Sequence, residues 1–110
     1  MLENTYTLEN GIKIPKLGLG TWFIDDSKVA EAVREAVKIG YRMIDTAQAY
    51  GNERGVGEGV RTCGIPREDL FVVSKVAAEH KTYEQAMAGM DETLKKMGLY
   101  YQDFCRVFAF

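Results

Sequence analysis

The stretch Met43-Ile44-Asp45-Thr46-Ala47-Gln48-Ala49-Tyr50-Gly51-Asn52-Glu53 decides the fold. Met43 and Ile44 read as a short apolar strand, Asp45 as the carboxylate at its C-terminal end, and the residues to Tyr50 as the loop that follows. Parallel sheets keep their reacting groups at that end of their strands. Leu70-Phe71-Val72-Val73-Ser74-Lys75 has the same shape, an apolar run closing on one ionisable side chain. If the two strands are neighbours, Asp45 and Lys75 lie roughly 5 Å apart at one rim, with Tyr50 beside them. A tyrosine, whose unperturbed pKa is roughly 10, gives a proton to a carbonyl oxygen near neutral pH when a nearby cation stabilises the phenolate left behind. Lys75 is the candidate cation, and Asp45 the carboxylate that keeps it charged and aimed. The same residues also read as a structural ion pair beside a loop aromatic.

Outward from that stretch, the chain alternates strands and helices. Asp25-Asp26-Ser27 offers N-cap side chains for a helix from about Lys28 to Ile39, in which Val29, Ala32, Val33, Ala36 and Val37 form one apolar stripe. Asn52 caps a second helix to about Thr62, and Thr82 with Gln85 makes a capping box for a third, to about Met97. Gly40, Gly64 and Gly98 each follow a helix and precede an apolar residue and a strand, marking three successive αβ junctions of a parallel sheet. Leu17 to Trp22 is the first strand of that sheet. Ahead of it, Tyr6 to Leu8 and Ile12 to Ile14 flank an Asn10-Gly11 turn and predict a hairpin ended by Pro15.

Two glycine runs invite a dinucleotide-fingerprint reading and neither sustains it. Gly18-Leu19-Gly20 has Phe23 where a third glycine belongs, and Gly55-Val56-Gly57-Glu58-Gly59 lies inside a helix with no strand leading into it. The helical glycines read instead as close helix contacts. Net charge of -2 with scattered lysines and arginines argues against a nucleic-acid surface. No apolar run approaches the roughly 18 residues of a membrane span, and Met1-Leu2-Glu3-Asn4 lacks a signal pattern, so a cytoplasmic protein is expected. Cys63 and Cys105 read as reduced packing thiols, and no metal site is expected.

Asp45 to Glu53, Gly18-Leu19-Gly20-Thr21-Trp22 and the Ser74-Lys75 strand end together resemble the aldo-keto reductase family, in register from about Leu8 to Leu99. The resemblance implies an α/β fold, here half of a (β/α)8 TIM barrel: an N-terminal β-hairpin, which would plug the barrel end opposite the site, then four parallel strands alternating with three helices. Residues 1-110 are expected to form a single domain. It implies NADPH as cofactor, reduction of a small carbonyl substrate, and a catalytic tetrad of Asp, Tyr, Lys and His. The first three fall on Asp45, Tyr50 and Lys75. Gly20, Thr21, Trp22 and Asp45 would line the nicotinamide end, and Trp22 with Tyr50 the substrate. His80 sits in the loop after Lys75 and is not the fourth member; Phe108 stands where that histidine is expected.

From Tyr100 onward the chain departs from the family pattern. Alternation puts Gln102, Phe104, Arg106 and Phe108 on the lumen face. These departures suggest an engineered or truncated reductase fragment, inactive in isolation; the alternative is a non-catalytic folding or assembly scaffold. With open sheet edges and Phe104, Phe108 and Phe110 to bury, a homodimer or other self-association is expected.

Overall fold

The computed structural model describes residues 5–9, 11–76 and 82–107, the last four by backbone alone. Strand β1 (Thr5–Thr7) pairs antiparallel with β2 (Lys13–Pro15) as the predicted hairpin, closed by Gly11 at φ +84°. The remaining strands, β3 (Gly18–Gly20), β4 (Met43–Asp45), β5 (Phe71–Val76) and β6 (Phe104–Val107), form one parallel sheet in the order β3-β4-β5-β6. Helices α1 (Asp26–Lys38), α2 (Glu53–Thr62) and α3 (Tyr83–Met97) are the crossovers between successive strands. Strand order equal to chain order, with a helix between each pair, is the arrangement of consecutive barrel units.

The core lies between the sheet and the helices. Ile44 and Val72 point to that side and are fully buried against Val29, Val33, Val56 and Met97. Residues one place along each strand point to the other face. The hairpin sits at the end where the strands begin: Thr5, Ile12, Lys13 and Pro15 share a cleft with Arg42, Leu70 and Phe71. It is therefore opposite the rim that carries Asp45 and Lys75.

Several boundaries differ from the sequence reading. β3 stops at Gly20 because Trp22 and Phe23 turn the chain, Phe23 with φ +66°, a conformation rare for a bulky side chain. α1 begins at Asp26, and Asp25 occupies the N-cap without a side-chain cap bond. Asp26 instead accepts from Gly55 N at 2.8 Å, tying α1 to α2. Asn52 also stands at an N-cap without capping, since its amide is spent on Thr21 O, Ile24 O and Thr46 Oγ1 beyond the ends of β3 and β4. The Thr82–Gln85 capping box forms as expected. Gly40 N donates to Val37 O and Tyr41 N to Ala36 O, the paired bonds of a left-handed helix end, and Gly98 and Leu99 repeat them on α3.

The expectations for His80, Phe108 and Phe110 fall outside the described residues, as do the side chains of Phe104, Cys105 and Arg106. Cys63 is a free, half-buried thiol whose Sγ donates to Val60 O at 3.3 Å. Among the described residues no helix is long and apolar enough to cross a membrane, and no cluster of histidine, cysteine or carboxylate side chains could hold a metal ion.

Candidate active site

Asp45 ends β4 opposite Val73, and Lys75 lies two residues further along β5 on the same face. The Lys75 ammonium makes an ion pair with Asp45 Oδ1, donates to Thr46 O at 3.1 Å, and reaches Tyr50 Oη at 3.4 Å. Its side chain is 10% exposed and that of Asp45 38%, so the pair is covered from the lysine side and open from the carboxylate side. Tyr50 is brought in by a single helical turn, Gln48–Tyr50, that ends on Gly51 at φ +69°. Gln48 anchors the turn to α3, its Nε2 donating to Gly89 O at 2.9 Å and to Thr93 Oγ1 at 3.1 Å.

The structure thus brings Asp45, Tyr50 and Lys75 together. An ammonium carries three donors, and here they face three acceptors: Asp45 Oδ1, Thr46 O and Tyr50 Oη. Because Tyr50 receives a bond from Lys75, its own proton is directed away from the ammonium, toward whatever occupies the rim.

Gly20 and Trp22 are exposed at the end of β3, and a Cβ on Gly20 would meet nothing within 4 Å. Trp22, 65% exposed, stacks on Phe23 with ring centroids 4.3 Å apart. These rings, Tyr50 and Gly51 border a cleft of about 290 Å³. Thr21 does not join them. Strand alternation turns its side chain to the helix side, where it is fully buried and donates to Asp45 O at 3.0 Å. An open backbone edge, an aromatic face and a part-exposed carboxylate fit the flat, polar nicotinamide end of a dinucleotide. Lys75 is spent on Asp45, Thr46 and Tyr50, and Arg54 on Asp26, so neither is free for a phosphate.

Sequence reasoning missed what lies behind the rim. Thr46, Asn52, Glu53, Ser74 and Thr93 are buried polar residues joined across elements. Thr46 Oγ1 donates to Asn52 Oδ1 at 2.7 Å, and Ser74 Oγ donates to Glu53 Oε2 at 2.6 Å. A polar residue next to each site residue in a strand otherwise apolar was the available signal.

A sequence profile of the Aldo/keto reductase family matches residues 16–107. The chain is 46% identical over 101 residues to the 9,11-endoperoxide prostaglandin H2 reductase of Trypanosoma cruzi, covering 91% of this chain and 36% of that protein. It is 43% identical over 103 residues to the glyoxal reductase of Bacillus subtilis, covering 93% and 37%. The crystal structure of an aldo/keto reductase from Brucella melitensis superposes with a TM-score of 0.90 at 42% identity, over 94% of this chain and 41% of that one. The chain therefore spans between a third and about two fifths of the length of these proteins, and its four parallel strands are strands of a TIM barrel. With the site geometry, the profile match and the superposition in agreement, the chain belongs to the aldo/keto reductase family.

Proposed function

We propose that Asp45, Lys75 and Tyr50 are the proton-donating part of a site that reduces a small aldehyde or ketone with NADPH. The single observation that carries this reading is the Lys75 ammonium held among Asp45, Thr46 O and Tyr50 Oη. Tyr50 gives its proton to the carbonyl oxygen as that oxygen gains negative charge, and Lys75 stabilises the phenolate that remains. Asp45 holds the ammonium in place, and water restores the Tyr50 proton after the alcohol leaves. NADPH, when bound, supplies the hydride that reaches the carbonyl carbon. Gly20, Trp22 and the exposed side of Asp45 would hold its nicotinamide end, and Trp22 with Tyr50 the substrate. The activity for which the Bacillus subtilis relative is named, glyoxal reduction, supports a small carbonyl.

With no free cation at this rim among the described side chains for the phosphates, the 110-residue chain alone is expected to bind NADPH with a Kd weaker than about 1 mM. Trp22 is the single tryptophan, so its fluorescence reports binding at the rim directly. We also infer that the 110-residue chain self-associates, because β3 and β6 each have one strand neighbour among the described residues.

The reaction is tested in a chimera in which this chain replaces the matching residues of the Bacillus subtilis glyoxal reductase. NADPH consumption with glyceraldehyde or glyoxal is expected. A folded chimera that binds NADPH yet turns over neither aldehyde contradicts the reading.

A further inference from the structure

Asn52 and Glu53 are consecutive residues at the start of α2, yet their side chains reach the ends of three different strands. Asn52 Nδ2 donates to Thr21 O at 2.8 Å and to Ile24 O at 3.0 Å, just past β3, while its Oδ1 accepts from Thr46 Oγ1, just past β4. Glu53 Oε2 accepts from Ser74 Oγ, near the end of β5. Asn52 and Thr46 are fully buried, Ser74 is 1% exposed and Glu53 3%. We propose that Asn52 and Glu53 are positioning residues, which fix Asp45 and Lys75 relative to each other by holding their chain neighbours from the helix side of the sheet. The proposal rests on the reading of Asp45, Lys75 and Tyr50 as one site.

The argument is one of adjacency and alternation. Thr21 follows Gly20, Thr46 follows Asp45 and Ser74 precedes Lys75, so three of the four anchored residues are bonded to a rim residue, and the fourth, Ile24, lies in the turn that follows β3. Neighbours in a strand point to opposite faces, and a bond on the helix side therefore holds the backbone from which the rim side chain projects. Lys75 needs that control, since its reach to Tyr50 is 3.4 Å and a few tenths of an ångström more would end the hydrogen bond.

Stability alone does not explain Glu53. Its Oε1 is buried without a hydrogen-bond partner among the described residues, and a buried, half-satisfied carboxylate is unfavourable beside an apolar side chain of similar size. The positive end of the α2 dipole offsets part of that penalty. Groups kept at such a cost cluster where geometry serves function.

The experiment is the hydrogen-exchange rate of the Lys75 ammonium, followed by nitrogen-correlated NMR on the 110-residue chain and identified by its loss in Lys75→Arg. It needs neither cofactor nor turnover, so an inactive chain leaves the proposal standing, and an active one does not establish it. The parent is expected to give a protected Lys75 signal. Glu53→Gln, which keeps an acceptor for Ser74 Oγ, is expected to retain it. Ser74→Ala and Glu53→Ala are expected to exchange at least about tenfold faster, with the backbone amides of α1 and the hairpin unchanged. If Glu53→Ala does not fold, Ser74→Ala decides alone, since it removes a single oxygen. Exchange within about twofold of the parent in Ser74→Ala overturns the proposal, as does loss of protection in Glu53→Gln or a parent without a protected signal.

Discussion

Asp26 shows how one side chain joins two helices and records the bond in its ionisation. Burial pushes its carboxyl up, but the hydrogen bond from Arg54, the Gly55 N–H and the Arg54 charge together outweigh burial and hold it below the ordinary 3.8. The Arg54 Nε lies 2.6 Å from Oδ2. A carboxyl lowered in the folded state contributes stability that is present above its unfolded value and lost as pH falls through its folded value. Asp26→Asn is therefore expected to lower the thermal midpoint by about 2–4 °C at pH 7, a modest effect because the pair is screened by solvent, with a deficit that shrinks as pH falls below 3.8. A deficit that persists undiminished in acid would show that the charge is not the cause. Asp26 was legible in the sequence only as a possible cap. Asp45 and Lys75 were legible because each ends an apolar run, and Tyr50 because it lies in the loop after the first, whereas the buried bonds of Thr21 to Asp45, Asn52 to Thr21 and Glu53 to Ser74 were not, because they join residues 21 to 31 apart.

At the scale of elements, α2 is built to lie close to its neighbours. A Cβ on Gly55 would meet the backbone of Asp26, one on Gly57 the backbone of Met97, and one on Gly59 would come within 2.7 Å of Val33 Cβ. The sequence reading of these glycines as close helix contacts is what the packing displays. Gly57→Ala places a methyl group against main chain that cannot step aside, so the gain in helix propensity of about 1 kcal/mol is overridden. A net loss of about 1–3 kcal/mol in urea unfolding is expected, and an unchanged or raised midpoint would contradict it. Caps show where local reading stops. Thr82 and Gln85 bond within one turn and were legible; Asp25 and Asn52 occupy the expected cap positions, but tertiary partners claim the side chain of Asn52 and that of neighbouring Asp26.

For the whole molecule, helices cover one face of the sheet, and the strand order leaves β3 and β6 each with one neighbour among the described residues. Unpaired strand edges recruit other edges, so the 110-residue chain is expected to sediment above 12.4 kDa at tens of micromolar. A well-folded species of 12.4 kDa at that concentration would contradict self-association. The candidate site is likewise a property of the assembled sheet, since Asp45 comes from β4, Lys75 from β5 and Tyr50 from a turn anchored on α3. The most direct test of its role is the turnover of Tyr50→Phe in the glyoxal reductase chimera, measured with saturating NADPH and aldehyde. Removing the proton donor is predicted to lower kcat by about 10²–10⁴ while NADPH binding, measured by titration, is unchanged. A Tyr50→Phe chimera within about threefold of its parent would contradict the assignment of Tyr50 as the acid.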